Sequence, residues 1–89
     1  PTLRCSAAVN DPRVAFGSAV RQLRQTLSMS QETLADSADI DRTYVSSLES
    51  GRRNPSLTTI WRVANALGVA PHVLLALAHE HSVERKEPR

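Results

Sequence analysis

The sequence has few aromatic residues and a single cysteine, and each scarcity excludes a class of protein. One Phe, one Tyr and one Trp make up 3% of the chain, so a core must be built from Leu, Val, Ile and Ala, which favours helices over sheets. Cys5 has no second cysteine for an intramolecular disulfide, which excludes a disulfide scaffold and fits a reducing compartment. One cysteine and three histidines also cannot supply a plausible four-ligand zinc site, so no metal is expected.

The sequence also lacks long apolar runs and has almost no lysine. No apolar segment approaches the ~18–20 residues of a membrane span, so no membrane partner is expected. Ten of the eleven basic residues are Arg, and Lys86 is the exception. With 89 residues, 40% of them hydrophobic, the chain is expected to form one small soluble domain. The net charge of +2 is too small to identify a nucleic-acid binder, so the distribution of charge matters more than its total.

Apolar residues recur with a helical period in five segments, and no segment has the pattern of a strand. The predicted helices cover residues 13–27, 31–38, 42–50, 57–67 and 71–80. Ser30, Asp41 and Ser56 are placed as N-caps, and we expect the Asp41 carboxylate to accept from the first N–H groups of the third helix. Gly51 stands where a helix C-terminus needs a glycine. The sequence therefore predicts an all-α domain at 13–80, preceded by an arm at 1–12 and followed by a charged, solvated tail at 81–89.

The second and third predicted helices form the most informative segment. They are short, and the connection between them places Asp39 at a position that requires a left-handed backbone. Two such helices joined by a tight turn describe a helix-turn-helix motif, although a plain helical hairpin fits the same pattern.

The outward face of the third helix favours a helix-turn-helix that reads DNA. If Val45 and Leu48 face the core, the opposite face carries short polar side chains and one arginine; these residues are Arg42, Thr43, Ser46 and Ser47. Short side chains allow a helix to approach base edges in the major groove, and an arginine in the first turn can reach guanine O6 and N7. Residues 42–62 hold four arginines against one glutamate, a net of +3, so most of the positive charge lies at and after this helix.

These motifs occur in an order that resembles the Cro/CI-type (XRE) helix-turn-helix family. The matching residues are Ser30-Gln31-Glu32-Thr33-Leu34-Ala35, Asp41-Arg42-Thr43-Tyr44-Val45-Ser46, Leu48-Glu49, Gly51, Arg53-Asn54-Pro55-Ser56-Leu57, Ala64 and Leu67-Gly68-Val69. The resemblance covers residues 14–77 and implies a five-helix, lambda-repressor-like fold. The segment around Asp41 to Ser47 is most similar to the controller proteins of restriction–modification systems. Asp39 departs from the family pattern, in which many members have glycine in the turn.

The resemblance also implies roles for individual residues. The third helix would read bases through Arg42, Thr43, Ser46 and Ser47, with Arg42 as the guanine reader. DNA backbone contacts would come from Gln31, Tyr44, Arg52, Arg53 and Asn54, although Tyr44 could instead pack against the second helix. Arg24 and Glu49 would form a structural ion pair within the domain. The family acts in the prokaryotic or phage-infected cytoplasm on double-stranded DNA, and neither a cofactor nor a small-molecule effector is implied.

The fifth helix is apolar on nearly all sides, which predicts a second copy of the chain as a partner. A two-fold interface would use Val69, Val73, Leu74 and Leu77, unless the helix only closes the core of the monomer. Trp61, in the apolar stripe of the fourth helix with Leu57 and Ile60, is expected in the core or at the dimer interface. Because no catalytic constellation converges, the chain is not expected to be an enzyme. The sequence thus predicts a homodimeric regulator of a (pseudo)palindromic operator; a phage-type repressor, an antitoxin or an interaction module without DNA binding are the alternatives.

Overall fold

The computed structural model describes residues 11–83 and contains five α-helices. They are α1 Pro12–Thr26, α2 Gln31–Ala38, α3 Arg42–Glu49, α4 Leu57–Ala66 and α5 Pro71–Ser82. No strand occurs in this part of the chain, which confirms the all-α prediction. Within the same residues no single helix is long and apolar enough to cross a membrane, whereas α4 and α5 together reach that length and apolarity but meet at a bend of 100°.

Capping residues determine where several helices begin. Ser30 Oγ accepts from the backbone N–H of Thr33 at 3.0 Å, and Ser56 Oγ accepts from that of Thr59 at 3.1 Å, so both predicted caps are confirmed. Asp41 occupies the N-cap position of α3, but its carboxylate makes no capping hydrogen bond, and this detail of the prediction was wrong. The side chain is exposed, so water solvates both the carboxylate and the free N–H groups of the first turn.

The two ends of the domain differ from the predicted boundaries. Asp11 caps α1 by accepting from the Arg13 N–H at 2.9 Å, and Pro12 is the first helical residue, so neither belongs to an arm. The hydrogen bond from the Arg13 side chain holds the pKa of Asp11 below its ordinary value. At the other end α5 continues to Ser82, and His81 Nε2 lies 2.6 Å from Gln22 Oε1 of α1, so the predicted tail begins too early. The rest of the predicted arm and tail lies outside the described residues.

The core is shared by all five helices and is built from small and branched aliphatic side chains around one Phe. Its buried members are Ala15, Phe16, Ala19, Val20, Leu34, Ala35, Ala38, Val45, Leu48, Val63, Ala64, Leu67, Leu74 and Ala78. In α4, however, Leu57 and Trp61 are 66% and 48% exposed, so of the two positions expected for Trp61, the core and the dimer interface, the structure excludes the core. Both side chains are exposed at the surface of α4.

One glycine allows α1 and α3 to approach each other closely. A Cβ atom at Gly17 would lie 2.8 Å from the Glu49 carbonyl oxygen and would also collide with the Leu48 carbonyl oxygen. The C-terminal end of α3 therefore rests directly on the backbone of α1, and this contact fixes how α3 is inclined in the domain.

Candidate nucleic-acid interface

The α2–turn–α3 unit presents one face of α3 to solvent. Asp39 adopts the predicted left-handed conformation, with φ 58° and ψ 47°, and turns the chain from α2 into α3. Val45 and Leu48 are buried in the core, which orients the opposite face outward. That face consists of the predicted base readers: Arg42, Thr43 and Ser46 are exposed and Ser47 is partly buried. The structure thus brings these four residues together on one accessible surface, as the helical period predicts.

Arg42 lies at the first turn of α3 beside an acidic residue of α2. Its Nε is 3.9 Å from Glu32 Oε2, and both side chains are largely exposed. An exposed pair at this distance contributes little to stability, because water screens it. An exposed arginine held this weakly is free to present its guanidinium to a guanine edge, which it can contact through two N–H groups.

Of the two roles weighed from the sequence for Tyr44, the structure shows the packing role. Its ring is partly buried against the core, and the guanidinium carbon of Arg53 lies 5.3 Å from the ring centroid. A cation at this distance is attracted by the face of the ring. The ring thus packs as core filler while it also positions an arginine of the following loop.

The loop after α3 carries two arginines and an asparagine on the surface. Gly51 has a φ of +82° and ends α3. Two backbone hydrogen bonds close this helix end: the Arg52 N–H donates to the Ser47 carbonyl, and the Gly51 N–H donates to the Leu48 carbonyl. This turn directs Arg52, Arg53 and Asn54 outward, and all three are exposed beyond the C-terminal end of α3. The loop therefore extends the basic surface that begins at Arg42.

A buried ion pair joins α1 to the end of α3. Arg24 Nε and Nη2 donate to Glu49 Oε2 and Oε1 at 2.6 and 3.0 Å, and the Glu49 side chain is only 4% exposed. Arg24 Nη1 also donates to the Met29 carbonyl at 2.8 Å. The pair has the bidentate geometry in which both charges are satisfied on burial.

Gln31 also belongs to this network, a contact that neither its sequence pattern nor the family resemblance predicts. Its Nε2 donates to Glu49 Oε1 at 3.1 Å, so a residue assigned to the DNA backbone is held from within the domain. No helical period signals this contact, since residues 31 and 49 meet only through the packing of α2 against α3. The close approach at Gly17 is equally without a sequence signal, because it depends on the packing of α1 against α3.

The predicted dimer surface on α5 needs one correction. Leu74 is completely buried in the core and has no surface to offer a partner, so its assignment to a two-fold interface was wrong. Val73 is 43% exposed, and Val69 and Leu77 are partly buried at the edge of the core.

Among the described residues no group of three His, Cys, Asp or Glu side chains could hold a metal ion.

A family model described as helix-turn-helix matches residues 20–74, a segment that includes α2, α3 and α4. This chain belongs to the helix-turn-helix family. The resemblance to the Cro/CI-type branch is confirmed, and the relatives include restriction–modification control proteins.

Two proteins illustrate this membership of the helix-turn-helix family. The chain is 46% identical over 79 residues to the control protein C.BamHI of Bacillus amyloliquefaciens, which covers 88% of this chain and 98% of that protein. The crystal structure of the restriction–modification controller protein C.AhdI from Aeromonas hydrophila superimposes with a TM-score of 0.67 and 46% sequence identity, over 68% of this chain and 92% of that one.

Proposed function

We propose that this chain is a homodimeric, sequence-specific regulator of transcription that reads double-stranded DNA with α3. The observation that supports this most directly is the exposed face of α3, on which Arg42, Thr43 and Ser46 stand without a covering element. A face of short polar side chains lets the helix axis approach the floor of the major groove, and Arg42 reaches a guanine edge from the first turn.

Backbone contacts hold the reading helix in register on both sides. On one side Gln31, at the N-terminal end of α2, meets a phosphate together with the unpaired N–H groups of that helix end. On the other side Arg52, Arg53 and Asn54 meet the strand beyond α3, with Tyr44 beneath Arg53. These contacts position the domain, and the side chains of α3 supply the sequence preference.

Two copies of the domain are needed for a (pseudo)palindromic operator. The exposed Val73 and the neighbouring Val69 and Leu77 give α5 an apolar flank whose burial against a second copy would place two α3 helices about one DNA turn apart, ~34–36 Å. The similarity to the control protein C.BamHI over almost its whole length supports the role of a restriction–modification controller in the cytoplasm of a bacterium.

Selection of bound sequences from a random duplex library tests the proposal. We expect enrichment of a two-fold repeated site whose half-sites are separated by one helical turn, and binding that weakens steeply as salt rises. Failure to enrich any sequence, with the folded protein verified by circular dichroism, would contradict DNA reading. An enriched site without two-fold symmetry would contradict only the homodimer.

A further inference from the structure

The carboxylate of Glu49 connects the C-terminal end of α3 with the first residue of α2. Glu49 Oε1 accepts from both Arg24 and Gln31, at 3.0 and 3.1 Å, while Oε2 accepts from Arg24 alone. Arg24 also fixes the Met29 carbonyl, one residue before the cap of α2. A nearly buried charge therefore holds both the start of α2 and the side chain of its first residue.

This contact determines which way the Gln31 amide faces. An ionised carboxylate can only accept hydrogen bonds, so the amide must turn its nitrogen, and not its oxygen, toward Glu49. One of the two N–H groups is consumed by this bond. Within residues 11–83 the amide makes no other hydrogen bond, and the side chain is partly exposed, so the second N–H remains available at the surface.

We infer that Glu49 is a positioning residue for DNA binding, which holds the Gln31 amide so that its second N–H meets a phosphate oxygen. The inference rests on the proposed function and assigns Glu49 a role beyond its ion pair with Arg24. Glu49 lies in the same helix as Arg42 and Ser46, so the carboxylate also sets the distance between the backbone contact and the base-reading residues. Preorganising the amide lowers the ordering cost of binding.

Electrostatics alone predicts a change in affinity of the opposite sign. Replacing Glu49 with Gln removes a negative charge from the DNA-binding domain, which by electrostatics alone strengthens binding to phosphates. Loss of a positioning contact weakens it instead. The direction of the change therefore separates an electrostatic effect from a lost contact, and a double-mutant cycle with Gln31 separates the positioning role from a purely structural one.

The experiment is a double-mutant cycle on operator DNA obtained by the selection described above. Kd is measured for the whole chain, for Glu49→Gln, for Gln31→Ala and for the double variant, at a temperature where thermal unfolding shows each to be folded. We expect each single variant to bind about five- to tenfold more weakly, and the double variant to be no weaker than Gln31→Ala alone. Asp36→Asn, which removes one exposed negative charge from α2, is the matched control and should bind equally well or more tightly.

The salt dependence provides a second readout. Because Gln31 is neutral, its contact releases no counterion, so Gln31→Ala and Glu49→Gln should leave the slope of log K against log salt unchanged. Unchanged or tighter binding by Glu49→Gln, or multiplicative losses in the double variant, would overturn the inference. If the wild-type chain selects no DNA sequence at all, the proposed function fails instead.

A measurement without DNA keeps the inference testable if Glu49→Gln does not fold. The Gln31 side-chain amide is assigned in a nitrogen–proton correlation spectrum from the peaks that disappear in Gln31→Ala. We expect its two protons to be well separated in shift and one of them to exchange slowly with water, as for a held amide. Shifts and exchange equal to those of the exposed Gln25 would overturn the inference.

Discussion

Gly17 of α1 faces the carbonyl oxygen of Glu49 at the end of α3, and the space between them cannot hold even a methyl group. The contact places the backbone of α1 against the C-terminal end of α3. Any side chain at position 17 must push the two helices apart, so the inclination of α3 depends on a residue that lies far from the exposed face.

We expect Gly17→Ala to lower the free energy of unfolding by about 1–3 kcal/mol, because the added Cβ overpacks a contact with rigid backbone. Helix propensity alone predicts the reverse, a gain of up to about 1 kcal/mol from replacing glycine with alanine. Chemical denaturation measures the difference, with Ser18→Ala, one residue further along the same helix, as the control. A more stable Gly17→Ala protein would show that α1 and α3 do not meet as described.

Arg42→Ala should weaken operator binding by about 1–3 kcal/mol and relax the preference at one base pair in each half-site. The physical reason is the loss of a bidentate contact to guanine, whose discrimination no neighbouring serine replaces. Competition binding against operators substituted at each position measures both effects. Arg21→Ala removes an exposed positive charge from α1 and should change affinity little and specificity not at all. Full affinity and unchanged preference in Arg42→Ala would disprove direct readout by this residue.

Tyr44→Phe separates the phosphate contact of the hydroxyl from the packing of the ring. The variant keeps the ring against the core and beneath Arg53, so the free energy of unfolding should stay within about 0.5 kcal/mol of the wild type. Operator binding should weaken by about 1 kcal/mol, the net value of a hydrogen bond. If affinity is unchanged, Tyr44 acts only as a packing residue and as a support for Arg53; Tyr44→Ala then reports the value of that support.

Val73→Asp should convert the proposed dimer into a monomer, because it places a charge on the apolar flank of α5 that we propose as the two-fold interface. Sedimentation equilibrium gives the mass of each variant. Leu75→Asp is the matched control, since Leu75 is similarly exposed but lies on the opposite flank of α5, and it should remain dimeric. Leu74→Asp should unfold the protein, because Leu74 is buried in the core. If Val73→Asp sediments as a dimer, the interface lies elsewhere. The exposed surface of α4 at Leu57 and Trp61 is then the next one to test.

Sequence periodicity predicted the positions of the helices well, and the burial of individual side chains on them less well. The caps at Ser30 and Ser56, the left-handed Asp39 and the outward face of α3 follow from local rules, because each depends on residues within one or two turns. The exposure of Trp61 and the burial of Leu74 depend instead on which flank a neighbouring helix covers, and a helical period does not contain that information. The hydrogen bond between Gln31 and Glu49 is harder still to predict, since it links polar side chains eighteen positions apart.

The ion pair at Arg24 explains part of an unusual feature of the composition, the near absence of lysine. All three guanidinium nitrogens of Arg24 are engaged, two on Glu49 and one on the Met29 carbonyl, and a single ammonium group cannot reproduce that planar set. The exposed Arg52 and Arg53 would act on phosphates through charge, which a lysine also supplies. A change from Arg to Lys would therefore be tolerated at the loop but not at position 24, so the arginines of this chain differ in how freely they could be exchanged during evolution.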